Sequence, residues 1–157
     1  MELNVGDIIS TEFINAGEFL GYTTESLGGM EMKMGKVYES AKDMTHYIPL
    51  KTLETVEKLP SKELFEKCLK KFNKISISDM PEIDPSDRYE YFKTNLEEKD
   101  LAVFMKNFKL LLLLDSEKAL NIHEKKLLNR LKAKFESDTE IILGWDKKES
   151  KSFTKIH

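Results

Sequence analysis

The chain has 157 residues, of which 40% are hydrophobic and 34% are charged, and its formal net charge at neutral pH is −3. This length allows one domain or two small ones, and the apolar content argues against disorder throughout. The longest uninterrupted apolar run, residues 110–114, is far shorter than the ~20 residues of a membrane-spanning helix. Because residues 1–10 also lack a basic region followed by an apolar core, we expect no signal peptide and a soluble, cytoplasmic protein without membrane contact.

Residues 1–58 have the pattern of several short strands separated by turns. Four candidate strands cover residues 8–10, 18–24, 30–34 and 44–48. Gly28 and Gly29 predict a hairpin turn between the second and third strands, because glycine accepts the positive φ angles of tight turns. Apolar and polar side chains alternate in the last two strands, so we expect the methionines of residues 30–34 to point inward. Several strands in so short a segment predict a small barrel or a strongly bent sheet.

Residues 59–145 have a helical periodicity instead. Apolar side chains recur every three or four residues in four stretches, which cover residues 64–72, 89–96, 101–112 and 120–135. That spacing places each set on one face of a helix, so the segment predicts a compact helical domain. Ser61 is a candidate cap for the first helix, and Asn121 with Glu124 forms a capping-box pattern before the last long stretch.

The connections and the end of the chain have a different composition. Residues 73–84 are polar and interrupted by Pro81, which predicts a loop within the helical domain. Residues 138–145 predict a short final helix that docks its apolar side chains on the domain. Residues 146–157 are polar without an apolar stripe, so they predict a flexible tail.

The residues most often used in catalysis form no constellation in this sequence. His46, His123 and His157 lie in three different segments, and no two of them have the spacing of metal ligands. Cys68, the only cysteine, belongs to a helical stripe and is interpreted as a small core residue. The sequence therefore predicts a protein that is not an enzyme and needs neither a cofactor nor a metal.

Charge is unevenly distributed along the chain. Residues 1–58 contain 10 acidic and 5 basic side chains, whereas residues 59–157 contain 18 acidic and 20 basic ones. The central part of the helical region, residues 99–135, contains 9 bases and 4 acids. An acidic first part and a locally basic second part indicate two separate interaction roles.

Several short motifs occur in a definite order along the chain. In the first part, VGDII at residues 5–9 precedes the glycine hairpin and an apolar–proline pair at residues 48–49. In the second part, KTNL at residues 93–96 has a K-x-N-L pattern, and ALN followed by EKKLL within residues 119–128 opens a helix. The order and spacing of these motifs over residues 3–135 resemble the CarD/CdnL family of bacterial RNA polymerase-binding transcription regulators.

The resemblance implies an α+β protein with two modules. Residues 1–58 would form a small Tudor-like or SH3-like β-barrel that docks on the RNA polymerase β subunit. Residues 59–145 would form a helical domain that contacts promoter DNA near the upstream edge of the melted bubble and stabilises the open complex. The family also implies a monomer associated with the nucleoid, which contacts phosphates without reading base sequence.

The resemblance assigns the polymerase contact to Glu25 and Tyr47. Known members of the family carry arginines at the corresponding positions, which meet acidic groups on the polymerase. Glu25 would repel such groups, so we expect the surface of its own polymerase to be basic at this point.

The expected DNA contacts come from the helical domain. The basic candidates are Lys93, Lys125, Lys126 and Arg130. The family's tryptophan wedge corresponds to Arg88, beside Tyr89, so either of these side chains could enter the minor groove. Two alternatives stay open: Tyr89 could only pack on Phe92, and the lysines could form an ordinary solvated helix face. In that case the protein would be an adaptor that binds a polymerase or repair partner without touching DNA.

Overall fold

The computed structural model describes residues 2–11, 13–14, 16–97 and 100–155, with Glu97 described by its backbone alone. The chain divides into two compact units, Met1–Leu59 and Pro60–His157, one residue from the boundary expected from the sequence. The first unit contains a β-sheet and the second contains helices, so the fold class is α+β.

The N-terminal unit is an open antiparallel sheet. Its strands are β1 (Ile8–Ser10), β2 (Gly17–Leu27), β3 (Met30–Glu39), β4 (Met44–Pro49) and β5 (Glu57–Lys58). Their order across the sheet is β4-β3-β2-β1-β5. Among the described residues no pairing joins β4 to β5, so the closed barrel expected from the sequence is not formed. Strand β5 has only two residues, and both pair with β1.

The long β2–β3 hairpin has the predicted turn. Gly28 and Gly29 adopt φ angles of 59° and 81°, which only glycine accepts without strain. Nearer the start of β2, the register shifts between Phe19 and Gly21, so Leu20 is an extra residue in the ladder. A bulge of this kind bends the strand and increases its twist, which gives the sheet curvature without closing it.

The pairing register decides which side chains face the core. Phe19 pairs with Val37, and both are buried in the cluster that forms the core of this unit. Because side chains alternate between the two faces of a strand, the even-numbered residues of β3 point away from that cluster. The methionine row of residues 30–34 therefore lies outside this cluster, and the sequence expectation holds only for Met34, which is buried. Met30 and Met32 are exposed.

The core of the N-terminal unit gathers side chains from the strands and from the segments that flank them. Its members are Leu3, Ile9, Ile14, Phe19, Val37, Ile48, Leu53 and Val56. Leu53 comes from the short helix α1 (Leu50–Leu53), which follows β4. Its side chain lies over Gly35, where an added Cβ would overlap Leu53.

We expect Gly17→Ala to destabilise the N-terminal unit by about 1–3 kcal/mol, the usual cost of overpacking a core. A Cβ at Gly17 would overlap Cγ1 of Val37 and lie 3.2 Å from Cγ2 of Ile14. Amide hydrogen exchange of the full chain should show faster exchange in β2 and β3 and unchanged exchange in the helical unit. A favourable coupling between Gly17→Ala and Val37→Ala would identify the overlap as the cause, and simple additivity of the two changes would contradict it.

The C-terminal unit consists of helices. They are α2 (Lys62–Phe72), α3 (Arg88–Glu97), α4 (Leu101–Ser116), α5 (Ile122–Leu143) and α6 (Lys147–Thr154). Ser61 accepts a hydrogen bond from the backbone N–H of Leu64, as expected of an N-cap. Asn121 and Glu124 form the predicted capping box: Glu124 N–H donates to Asn121 Oδ1 (2.9 Å), and Asn121 N–H donates to Glu124 Oε1 (3.0 Å).

The end of the chain differs from the sequence expectation. Residues 138–143 continue α5 without a break, so they are not a separate short helix. Gly144 ends α5 with a φ of 72°, and Lys147–Thr154 then form helix α6, where a tail without regular structure was expected. Residues 156–157, the end of that predicted tail, lie outside the described residues.

Helix α6 packs because the fold supplies partners that its own sequence does not indicate. Phe153 lies 5.2 Å from Phe72 and 5.9 Å from Phe135, measured between ring centroids. The hydroxyl groups of Thr139 and Ser150, both buried, share a hydrogen bond between α5 and α6. A single apolar side chain gives no periodic signal, yet here it completes a cluster of phenylalanines from four helices.

The centre of the helical unit is aromatic and aliphatic. Phe135 lies 5.3 Å from Phe108 and 6.3 Å from Phe65 between ring centroids. The leucines of residues 110–114 are mostly buried, as their continuous run predicts. Cys68 is buried in the same core, and burial raises the pKa of its thiol. This supports its interpretation as a core residue.

Candidate nucleic-acid interface

Two side chains from distant parts of the chain form a nearly buried ion pair at the N-terminal ends of α3 and α5. Arg88 Nε donates to Glu124 Oε2 (2.5 Å), and Arg88 Nη2 donates to Glu124 Oε1 (2.8 Å). Nη2 also donates to the backbone carbonyl of Ala119 (2.7 Å), just before α5. The Glu124 side chain is 0% exposed and that of Arg88 is 14% exposed. Arg88 therefore ties the start of α3 to the turn between α4 and α5.

The electrostatics of this pair favour ionised partners. Burial alone would raise the pKa of the Glu124 carboxyl, but hydrogen bonds from Arg88 and from the Asn121 N–H outweigh burial and lower it. The hydrogen bonds that Arg88 donates to Glu124 raise the pKa of the Arg88 guanidinium. Glu124 Oε1 thus accepts from both the Asn121 N–H and Arg88 Nη2, while Oε2 accepts from Arg88 Nε.

This pairing changes the interpretation of Arg88. Nε and Nη2 of the guanidinium donate to Glu124 and Ala119, so these two nitrogens are engaged within the protein and not directed at a DNA phosphate. Sequence reasoning identified the capping role of Glu124 but missed its partner. The two residues are 36 positions apart, and no local pattern marks such a contact.

Tyr89 packs on the adjoining helix. Its ring centroid lies 5.8 Å from that of His123 on α5. Phe92, the partner considered from the sequence, is fully buried and makes its edge-to-face ring contact with Tyr91 at 5.5 Å. Tyr89 is half-buried, so a rotation of its ring away from His123 would be needed before it could act as a wedge.

The Tyr89–His123 contact joins the starts of two helices that both carry basic side chains. Lys93 lies one turn beyond Tyr89 on α3, while Lys126 and Arg130 lie one and two turns beyond His123 on α5. Side chains three and four residues apart share a helix face, so each row continues from one member of the aromatic pair. All three basic side chains are exposed.

Lys125 is also exposed and stands beside Lys126. Because α5 begins at Ile122, these lysines occupy its fourth and fifth positions rather than the very start of the helix. They lie beyond the first free N–H groups, so their contribution to anion binding would come from their own charge.

Other basic side chains of the helical unit are engaged within it. Lys109 Nζ lies 4.7 Å from the centroid of Phe72, and burial lowers the pKa of its ammonium group. Lys134 donates to Asp138 Oδ2 (2.8 Å) and lies 5.6 Å from the centroid of Phe104. The charge available for an external anion is therefore smaller than the sequence total suggests.

The two predicted polymerase contacts lie on one face of the sheet. Glu25 pairs with Met32, and Tyr47 pairs with Lys36. Both β3 partners are even-numbered, so Glu25 and Tyr47 share the face that points away from the core. Because Met32 and Lys36 are four residues apart on β3, the two positions are about 13 Å apart along the strand direction. Tyr47 is exposed, and Glu25 is half-buried and accepts a hydrogen bond from Thr23 Oγ1 (3.3 Å).

The described residues contain no group of three or more His, Cys, Asp or Glu side chains that could hold a metal ion. None of the described helices combines the length and the apolar character needed to cross a bilayer. The chain matches no known family model and no curated protein.

Proposed function

We propose that the protein is a transcription regulator that bridges RNA polymerase and promoter DNA. Its N-terminal unit would bind the polymerase β subunit, and its helical unit would contact DNA near the upstream edge of the bubble and stabilise the open complex. The observation on which the proposed DNA contact rests is the Tyr89–His123 contact between the starts of α3 and α5, since the exposed Lys93 on α3 and the exposed Lys126 and Arg130 on α5 lie within two turns of it.

The exposed cations suit a phosphate backbone better than base edges. The four candidates include three lysines, which act as point charges on flexible side chains: Lys93, Lys125 and Lys126. The fourth is Arg130, a single arginine on the side of α5. Base reading in the major groove needs side chains aimed as bidentate donors, commonly several on one helix. The proposed contact is therefore weak, independent of sequence and sensitive to salt.

The proposed polymerase contact uses the face of the sheet that carries Glu25 and Tyr47. In this proposal the unit is a Tudor-like module whose sheet stays open, and its bulged β2 supplies the curvature. A solvent-facing side with Met30, Met32 and Tyr47 exposed offers apolar area, and Glu25 supplies a charge that selects a basic partner. A regulator of this kind would be found with the nucleoid.

Duplex DNA binding by the full chain should fall steeply with salt. With about four phosphate contacts, the slope of log affinity against log salt concentration is expected to be about −3 to −4. Fluorescence anisotropy with two unrelated duplexes, titrated at several salt concentrations, measures this slope. Equal affinities for both duplexes are expected, and a slope near zero or strong preference for one sequence would contradict the proposal.

We expect Glu25→Lys to weaken binding to the β subunit of the protein's own polymerase by about two- to fivefold, the range of an exposed ion pair. Glu31→Lys is the matched control, because Glu31 is exposed on the same hairpin but has the opposite side-chain orientation in β3. Biolayer interferometry with purified β subunit compares the variants. Tighter binding of Glu25→Lys would show that the partner surface is acidic and would overturn the proposed contact.

A second candidate function is an adaptor whose helical unit does not bind DNA. The engagement of Arg88 by Glu124 and the packing of Tyr89 on His123 favour this alternative, since both candidate wedges have partners within the helical unit. The lifetime of open promoter complexes distinguishes the two functions. A regulator prolongs it in a manner that depends on the exposed lysines, whereas an adaptor leaves it unchanged while still binding polymerase.

A further inference from the structure

The helical unit contains a small apolar cavity that none of the contacts above uses. It has a volume of about 290 Å³ and lies between α2, α4 and the loop that follows α2. Its lining consists of Cys68, Lys71, Ile75, Asp79, Ala102, Met105 and Lys106. The volume is near the lower limit of small-molecule sites, which are mostly apolar with a few polar groups that fix orientation.

The wall and the rim of the cavity differ in chemistry. The wall is formed by the buried side chains of Cys68 and Met105 together with Ile75, which is half-buried. Ala102 is exposed at the opening. These groups offer a thiol, a thioether and alkyl carbons, so they suit a hydrocarbon chain and provide no strong hydrogen-bond donor of their own.

The rim carries two lysines and one aspartate, so its net charge is positive. Asp79 accepts a hydrogen bond from the Ser76 N–H through Oδ2 (2.8 Å) as part of the turn at Ile77–Asp79. Lys71 and Lys106 are both exposed, and no ion pair or hydrogen bond within the described part of the chain involves either ammonium group. Two lysines on neighbouring helices therefore flank the opening of an apolar cavity.

We propose that this cavity binds a small amphiphilic carboxylate, with its hydrocarbon chain against Cys68 and Met105 and its carboxylate between Lys71 and Lys106. Burial of the chain supplies most of the affinity, because apolar surface leaves water. The lysines select the head group, since a carboxylate gains two charge-assisted contacts and an ammonium group is repelled. This site is independent of the proposed contacts with DNA and polymerase.

Cys68 is the only cysteine of the chain and serves as the reporter. The test measures the rate of its alkylation by N-ethylmaleimide, followed by intact-mass spectrometry, with octanoate or octylamine added to the full-length protein. Octanoate at about ten times its dissociation constant is expected to slow the reaction about tenfold. Octylamine should protect much less. No protection by octanoate up to its solubility limit, or equal protection by octylamine, would overturn the proposal.

Substitutions separate the head-group contact from the cavity itself. Lys71→Gln and Lys106→Gln should each weaken octanoate protection by about two- to fivefold, whereas Lys67→Gln should leave octanoate affinity unchanged. Lys67 is the matched control, because it lies next to Cys68 in sequence and influences the thiol but does not line the cavity. Ala102→Leu should fill the opening and abolish protection. Retained protection in Ala102→Leu would place octanoate elsewhere and overturn the assignment.

A second measurement, the NMR resonances of the methionine methyl groups, distinguishes binding in the cavity from a general effect of octanoate on protein stability. In protein labelled at its methionine methyl groups, octanoate should shift the Met105 resonance, assigned through Met105→Leu. The resonances of the exposed Met30 and Met32 should not move. Alkylation that slows without any shift of Met105 would mean that octanoate acts outside this cavity.

Discussion

Arg88→Met is expected to destabilise the helical unit by about 3–5 kcal/mol at neutral pH, the cost of removing one partner from a buried ion pair. The loss is large because Glu124 is 0% exposed and would keep its charge without a counter-ion. The Asn121 N–H would remain as one of its few hydrogen-bond donors. Methionine retains much of the length and the apolar stem of arginine, so the change removes mainly charge and hydrogen bonds.

The effect of Arg88→Met should depend on pH. In the natural protein the pKa of Glu124 is lowered, so its stabilising contribution is present above the ordinary carboxyl pKa and is lost as pH falls through the lowered value. Without Arg88, burial would raise the pKa of Glu124, and its protonation would favour the folded state at acidic pH. The difference between the two proteins should therefore shrink as pH falls from 7 toward about 4.5, near the unfolded carboxyl value.

Urea unfolding followed by fluorescence measures this difference, since the only tryptophan, Trp145, belongs to the helical unit. Arg130→Met is the matched control: it is the same substitution at an exposed position of α5, where changes of about 0.5 kcal/mol or less are usual. Adding Glu124→Gln to Arg88→Met should restore part of the stability, because glutamine can keep the capping box without a buried charge. A loss that stays constant with pH would show that Glu124 is not the cause.

The second large effect concerns DNA. Lys125→Glu combined with Lys126→Glu should lower the affinity for duplex DNA on the order of a thousandfold at low salt, equally for all sequences. Each reversal removes an attraction of about 1 kcal/mol at contact distance in water and adds a similar repulsion, which salt then screens. The salt slope should also become shallower by about 2, one unit for each phosphate that the variant no longer neutralises.

Helix α6 offers a matched control for this experiment. Lys147 and Lys148 are likewise adjacent and exposed near the start of a helix of the same unit. Reversing both changes the net charge of the protein by the same amount, so it separates a local contact from a general charge effect. If both double variants reduced affinity equally, the basic rows of α3 and α5 would not be the DNA-binding surface. Full open-complex stabilisation by the Lys125 and Lys126 variant would lead to the same conclusion.

The local signals in this sequence predict most of its longer strands and helices, though not α6, and several of their ends. Ser61, Asn121 and Glu124 act as caps because a capping hydrogen bond spans only three residues, so its donor and acceptor are visible together in the sequence. The hairpin turn at Gly28 and Gly29 is local for the same reason. Apolar periodicity likewise separates the strand-rich first part from the helical second part. Side chains repeat about every 2 residues in a strand and about every 3.6 residues in a helix.

The tertiary structure decides the contacts between residues that lie far apart in the sequence. The sequence supplies charges and aromatic rings, but pairing Arg88 with Glu124 across 36 residues and Tyr89 with His123 requires that the starts of α3 and α5 meet, which follows from the packing of both helices on α4. The same holds for Phe153, whose ring contacts with Phe72 and Phe135 give α6 a place in the core.

In the sheet, too, the sequence alone does not decide which face of a strand is buried, because this depends on the pairing register. Alternation along β3 offers two faces, and only the pairing of Val37 with Phe19 determines which of them is buried. A shift of one residue would exchange the methionine row with the core row, because the side-chain period of a strand is two. The sequence by itself thus determines most of the elements, several of their caps and the total charge. Long-range packing decides which charges are neutralised inside the fold and which remain exposed to a partner.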